Sequence, residues 1–475
     1  MTANQVLEIF KKITTIPRGS GNEGPITEYL CSWAAEHGLE CRRDAIGNVC
    51  IIREAAPGKE KVPAIVLQAH QDMVCEKLAG FPINFEKDPI PYVIKDGWMV
   101  AENTTLGADD GIGIAACLAL LESDGPTGRI EAVFTISEET GMDGANAMEA
   151  GFFTGTTLIN LDSEDEGQLF IGCAGGENTD ALFSYETAGS NPGWERLELR
   201  IGGGVGGHSG DDINKDRMNA VLTLARFLFS EMENHGLQLV IFTGGGKSNA
   251  IAREARASVI VPDAAATGKR FADFGNRIKA EYAATEPALD FSSRKTGFNE
   301  KPMRECDAKA LLSALASCPH GVVKMSPDIE GLVQTSTNLA AVDMHRPHSV
   351  KVVTSQRSSV VAELDAIVHD VAENFRKAGA DVTSYGKYPG WNPNLDSHIL
   401  EVTKDSYRRL FGQEPLVLAI HAGLECGLFL EKFPGLDMIS FGPTLRGVHT
   451  PGEKLELASL DKFVKLLDDV VTNFS

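Results

Sequence analysis

The chain has 475 residues, 43% of them hydrophobic, and a formal net charge of −22. That length and apolar content support large cores in two or three domains, and so acidic a surface argues against both nucleic acid and anionic membranes as partners. Nine scattered cysteines without a CxxC pair, a start that lacks the apolar core and cleavage site of a signal peptide, and no bilayer-length apolar stretch predict a soluble cytoplasmic protein with free thiols.

Residues 1–10 read as the start of an amphipathic helix. Residues 26–38 have helical spacing and end at a glycine; 41–53 read as strand, turn at Ile46-Gly47-Asn48, and strand. Short buried strands are predicted at 64–69, 131–136 and 157–161. They run into His70, into Ser137-Glu138-Glu139 and into Asp162. Between the first two, 111–122 is apolar with small residues, a buried helix. Polar groups at strand C-termini that lead into helices are where α/β sheets place ligands, so three candidate groups fall on one rim of one sheet.

The character changes at Ala188-Gly189-Ser190-Asn191-Pro192-Gly193, a turn-rich linker. Beyond it strands are predicted at 195–201, 236–243 and 257–261 and helices at 219–233 and 269–283. The inserted region continues through 335–344, a long helix at 359–378 and a strand at 381–385. A second break, Tyr388-Pro389-Gly390-Trp391-Asn392-Pro393, precedes a return to the first pattern. His449 lies in this last segment, far in sequence from the other candidate groups. The predicted fold is therefore an α/β catalytic domain, a mixed sheet flanked by helices, in two parts (1–187 and 391–475) with an inserted α+β domain (188–390).

His70-Gln71-Asp72, Gly107-Ala108-Asp109-Asp110-Gly111, Ser137-Glu138-Glu139-Thr140, Asp162 and His449 supply imidazoles and carboxylates. Such donors suit a hydrolytic site with two divalent ions, zinc, manganese or cobalt, and need no thiolate. Positions i and i+2 of an extended segment face one side, so Asp72 can hold His70 by its second ring nitrogen. Asp109 could bridge two metals, or either Asp109 or Asp110 could cap the following helix; spacing alone does not choose between them. Of Glu138 and Glu139, one is expected to bind metal and the other to move protons. The glycine loops 202–210, with His208, and 244–250, with Asn249, miss the spacing of phosphate loops and read as loops approaching a substrate. Arg357 is a candidate clamp for a substrate carboxylate, with an ordinary surface arginine as the plain alternative.

Five stretches carry a more specific pattern: Gln68-Ala69-His70-Gln71-Asp72-Met73-Val74, Thr104-Thr105-Leu106-Gly107-Ala108-Asp109-Asp110-Gly111-Ile112-Gly113, Gly206-Gly207-His208-Ser209-Gly210, Ala419-Ile420-His421-Ala422-Gly423-Leu424-Glu425-Cys426-Gly427 and Gly447-Val448-His449-Thr450-Pro451. Jointly, over essentially the whole chain, they resemble the M20 metallopeptidase family, and within it the aminoacyl-histidine (Xaa-His) dipeptidase branch. The resemblance implies a discontinuous zinc-peptidase domain with an inserted lid that mediates homodimerisation. It implies two divalent ions, zinc first, with manganese or cobalt as alternatives. His70, Asp109 and Asp162 would hold one, and Asp109, Glu139 and His449 the other. Glu138 would be the general base and acid, and Asp72 would orient His70. His208 would reach the partner subunit's site and stabilise the oxyanion. Asn249, Arg357, His421 and Glu425 would bind or support the substrate, an unblocked dipeptide, Xaa-His among others. Tripeptidase, aminoacylase or carboxypeptidase activity is the nearest alternative. An inactive scaffold on the same fold would be expected to lack Glu138 or a ligand, and none is missing. One departure is Asp110, where asparagine is expected in many members of the branch.

Overall fold

Continuous apolar runs form buried strands because both of their faces are covered. The strand Ile65–His70 is buried at every residue and pairs in parallel with Ile130–Thr135 and Thr157–Asn160. These three are the middle of an eight-stranded mixed sheet. Its order is Glu40–Arg43, Val49–Arg53, Ile130–Thr135, Ile65–His70, Thr157–Asn160, Asp437–Ser440, Gln168–Cys173 and Leu416–Ile420. The computed structural model describes residues 1–297, 299–421 and 423–475; Phe298 and Ala422, the latter within the dipeptidase-type stretch, lie outside the described residues.

Helix Ala108–Glu122 is buried from Ala108 to Leu121, which is why its sequence shows no polar face. Helix Ala3–Ile13 opens with a reciprocal cap between Thr2 and Gln5. A small antiparallel sheet, not anticipated from the sequence, joins Tyr92–Lys95 and Trp98–Ala101 to Lys454–Glu456 and Leu445–Arg446. Its last two strands make a hairpin whose connection carries His449.

The chain divides into two compact units, Met1–Cys173 with Trp391–Ala419 and Leu424–Ser475, and Ala174–Gly390 with Ile420–Gly423. The second unit is built on nine antiparallel strands. Eight run in the order Asp290–Lys295, Glu195–Gly202, Ala255–Val261, Gln238–Gly245, Val333–Asp343, Ser349–Ser358, Gly175–Ser184 and Asp381–Tyr388, and Gly321–Met325 pairs with Val333–Asp343. Helices Ala220–His235, Ala264–Glu281, Glu305–Ser317 and Val361–Lys377 pack on it. Its core includes Leu224, Phe227, Phe242, Phe271 and Leu339.

The first crossing falls after Cys173, not at 187/188. The reason is pairing: Gly175–Ser184 lies between Ser349–Ser358 and Asp381–Tyr388 and bonds to both. The turn-rich 188–193 is a connection inside the second unit. Residues 420–423 also group with that unit, so the last segment is interrupted. Among the described residues all nine cysteines are free, and no helix is long and apolar enough to cross a membrane.

Candidate active site

In the first unit, three strand ends and two loops converge. His70 ends its strand fully buried, with Nε2 2.8 Å from Asp109 Oδ1 and 3.5 Å from Asp162 Oδ1. Its Nδ1 lies 3.1 Å from the Asp72 carbonyl and 3.4 Å from Asp72 Oδ1. The Asp72 carboxylate also accepts the backbone amides of Glu138, at 3.0 Å, and Glu139, at 3.3 Å, and the Ser20 hydroxyl at 2.8 Å. One carboxylate thus fixes both an imidazole and the short helix Glu138–Gly141 that carries two glutamates. That helix can start directly after the strand because Ser137 turns the chain at a φ of 53°.

Asp109 faces two ways. Its second oxygen is 3.0 Å from His449 Nε2, which is itself 2.8 Å from Glu139 Oε2. Asp110, the neighbour that spacing could not separate from Asp109, is buried and accepts the Gly113 amide at 3.1 Å. Three sets of ligand atoms lie within 4.8 Å of one another: His70, Asp109 and Asp162; Asp109, Glu139 and His449; His70, Glu138 and Glu139.

The charges in this cluster crowd one another. Burial first, then Asp109, push the Asp162 carboxyl well above the usual range. Burial, then Glu425, Glu139 and Asp109, do the same to Glu138. Hydrogen bonds to Asp109 and Glu139 raise the His449 imidazole to about 11. For His70, burial pulls the pKa down, but Asp162, Asp109 and Asp72 outweigh it and hold it well above normal. A set of hard carboxylates and imidazoles that can share charge only by trapping protons fits multivalent cations.

The second unit holds the remaining residues singled out by sequence. The His208 backbone amide donates to Asp212 at 2.8 Å, and its Nδ1 lies 3.2 Å from Asp211. The neighbouring Ser209 amide donates to the Asn249 carbonyl at 2.8 Å, so the two glycine loops lie side by side. Asn249, Lys247, Asn178, Ser355, Arg357 and Tyr388 line a cavity of about 410 Å³. Arg357 is not a surface arginine. It sits on Ser349–Ser358 with 8% exposure, donates to Tyr388 Oη at 3.3 Å, and its Nε has no hydrogen bond among the described residues. His421 is buried with Nε2 2.7 Å from Ser336 Oγ; burial, then Arg357, push its pKa down to about 3, leaving a neutral ring.

Glu425, expected to bind or support the substrate, lies among the strands of the first unit. Its side chain is wholly buried in the first unit, accepting Gln68 Nε2 at 2.6 Å and the Thr135 hydroxyl at 2.7 Å. It braces the strand that ends at His70 and the strand that leads toward Glu138. Sequence reading also missed Ser20, Arg18 and Glu453, whose partners are backbone or distant side chains that no spacing encodes.

Residues 66–473 match the model of peptidase family M20/M25/M40. The chain belongs to that family. Within M20, it is 36% identical over 467 residues to the cytosol non-specific dipeptidase of Escherichia coli (strain K12), covering 98% of this chain and 96% of the relative. It is similar to the crystal structure of aminoacylhistidine dipeptidase from Vibrio alginolyticus, with a TM-score of 0.91 at 37% identity, over 99% of this chain and 96% of that one. The aminopeptidase PepT of Bacillus cereus shares the fold at a TM-score of 0.59 and 18% identity, over 99% of this chain and 98% of that one. Membership of M20 implies the use of divalent metal, and the donors above fit such ions.

Proposed function

We propose that the chain hydrolyses the peptide bond of unblocked dipeptides, Xaa-His among them, with two divalent ions, zinc first. The observation that carries this reading is the shared Asp109, one carboxylate facing His70 on one side and His449 on the other. The names of the E. coli and Vibrio relatives support the substrate class. His70, Asp109 and Asp162 would hold one ion, and Asp109, Glu139 and His449 the other. Bound there, the ions supply Lewis acidity, lowering the pKa of water and polarising a carbonyl.

The chain's own residues do the rest. Glu138 takes the proton from the attacking water and returns it to the leaving amine, a task suited to a carboxyl whose pKa is raised by burial and by Glu425, Glu139 and Asp109. Asp72 keeps the His70 ring in place and holds the Glu138 amide. His208 donates to the oxyanion. Arg357 and Asn249 receive the substrate carboxylate in their cavity, with neutral His421 beside Ser336 supporting the same wall. We further propose a cytoplasmic homodimer in which the second unit is lid and dimerisation surface and His208 serves the partner subunit's site.

Incubation of the metal-loaded protein with Ala-His, β-Ala-His, Ala-Leu, a tripeptide and an N-acetyl amino acid, with and without chelator, tests the reading. Chelator-sensitive cleavage confined to unblocked dipeptides is expected. Cleavage of the tripeptide or the blocked amino acid alone would assign the chain another M20 activity.

A further inference from the structure

The turn that presents Asp109 is held from two sides by a buried pair of opposite charge. Arg18, 2% exposed, reaches it from the loop after the N-terminal helix. Its Nη1 donates to the carbonyls of Gln71, at 3.0 Å, and Asp72, at 2.6 Å, and its Nη2 to the carbonyl of Gly107. One planar fork therefore ties the end of the His70 strand to the start of the Asp109 turn. Glu453, also 2% exposed, takes the other side of that turn. Its Oε2 accepts the amides of Leu106, at 2.8 Å, and Gly107, at 3.2 Å, and its Oε1 that of Ala108, at 2.8 Å.

Three features separate this from ordinary core packing. Every bond that the two side chains make goes to a segment bearing a candidate ligand, and Glu453 follows His449 in the same hairpin connection. The turn is shaped around the guanidinium: a Cβ on Gly107 would lie 2.6 Å from Arg18 Nη2, and on Gly111 2.5 Å. A side chain at Gly107, whose φ is +69°, would also meet Met73, and one at Gly111 would also meet Phe10. Finally, a buried cation is costly without partners, and Arg18 finds Asp72, Glu453, Asp109 and Asp110 around it.

We propose that Arg18 and Glu453 form a charged clamp that fixes Asp109 between His70 and His449, and so act as positioning residues for divalent-metal binding. Arginine is required because three carbonyls at fixed angles need its fork, which a lysine ammonium does not offer. Glutamate is required because three amides need both of its oxygens, whereas glutamine would turn an NH₂ toward one of them.

The inference rests on reading the five donors as metal ligands, and the test keeps the two apart. Zinc affinity of the full chain is measured by chelator competition for wild type, Arg18→Lys, Glu453→Gln, His449→Ala and Glu131→Gln, with the Tm of each metal-free protein. Glu131 is a control carboxylate, fully buried and accepting the amides of Thr154, at 2.6 Å, and Gly155, at 2.8 Å. The clamp predicts affinity about 10–100-fold weaker in Arg18→Lys and Glu453→Gln, the range for partners behind metal ligands. Their metal-free Tm should stay close to that of Glu131→Gln, whose zinc affinity is unchanged. If His449→Ala weakens binding and the clamp variants behave like Glu131→Gln, the clamp is overturned and the ligand assignment stands. If His449→Ala binds zinc normally, the ligand assignment itself fails. If neither clamp variant gives a folded metal-free chain, the pair is a folding element and the positioning role is overturned.

Discussion

The two units treat their polar side chains differently. In the first, His70, Asp72, Asp109, Glu139 and His449 are each within hydrogen-bonding or ion-pair reach of another member of the set. In the second, Arg357 Nε, His421 Nδ1 and Ser209 Oγ are buried with no hydrogen bond among the described residues; in the first, Thr104 Oγ1, Asp110 Oδ2 and Glu425 Oε1 are bare as well, but none of them belongs to that set. A buried polar group without a partner carries a free-energy cost that a fitting ligand can recover. The ligand candidates of the first unit hold one another in a network, whereas in the second unit the bare atoms include those of Arg357 and His421, side chains suited to meeting something brought to them.

The largest effect should come from the first unit. Glu138→Gln should lower kcat by about 10²–10⁴, the range for a lost general acid–base group, while metal content measured by elemental analysis stays that of wild type. Wild-type turnover would remove Glu138 from the chemistry. The second unit should answer in binding. Arg357→Ala should raise KM for a dipeptide about 10–100-fold, from a charged hydrogen-bonding contribution of about 1.5–3 kcal/mol, with metal affinity unchanged. An unchanged KM would break the contrast between a metal-organising unit and a ligand-receiving one.

A smaller and graded effect follows from protons. Asp109 and Glu139 raise His449 to about 11, and, despite burial, Asp162, Asp109 and Asp72 hold His70 above its ordinary value, so protons compete with metal for these imidazoles. Apparent metal affinity should weaken as pH falls, about tenfold per pH unit for each proton displaced. A pH-independent affinity by calorimetry would show that the imidazoles are not ligands.

The smallest effect concerns Glu425. Burial raises its carboxyl to about 7, above its unfolded value, so the folded chain holds the proton more tightly and loses stability as pH rises through 7. Glu425→Gln mimics the neutral acid. It should raise the Tm of the metal-free protein at pH 8 and change it little at pH 5. A lower Tm at pH 8 would mean that the negative charge stabilises the interior.

Much of the first unit was legible because its central strands are buried on both faces and read as plain apolar runs that stop at polar residues. Ile65–His70, Ile130–Thr135 and Thr157–Asn160 delivered their ligand candidates in that way. Gly175–Ser184 was not legible: Gly-Gly-Glu-Asn-Thr-Asp opens it with turn-forming residues, and only antiparallel partners on both edges make it a strand. Missing it displaced the domain boundary. Ser349–Ser358 was passed over although Val350, Val352 and Val353 favour a strand, and with it went the burial of Arg357. Glu425 was singled out because its stretch matched a motif, but what it holds was not legible, since its partners Gln68 and Thr135 come from strands far away in sequence. Glu453 serves amides more than three hundred residues upstream. No periodicity reports such a bond.

The most direct test is a metal titration of chelator-stripped protein, followed by cleavage of Ala-His and by bound metal per chain. Cleavage absent without metal, rising on addition of zinc, manganese or cobalt and saturating at two equivalents per chain, is the predicted result. Cleavage that survives complete removal of metal would contradict the account.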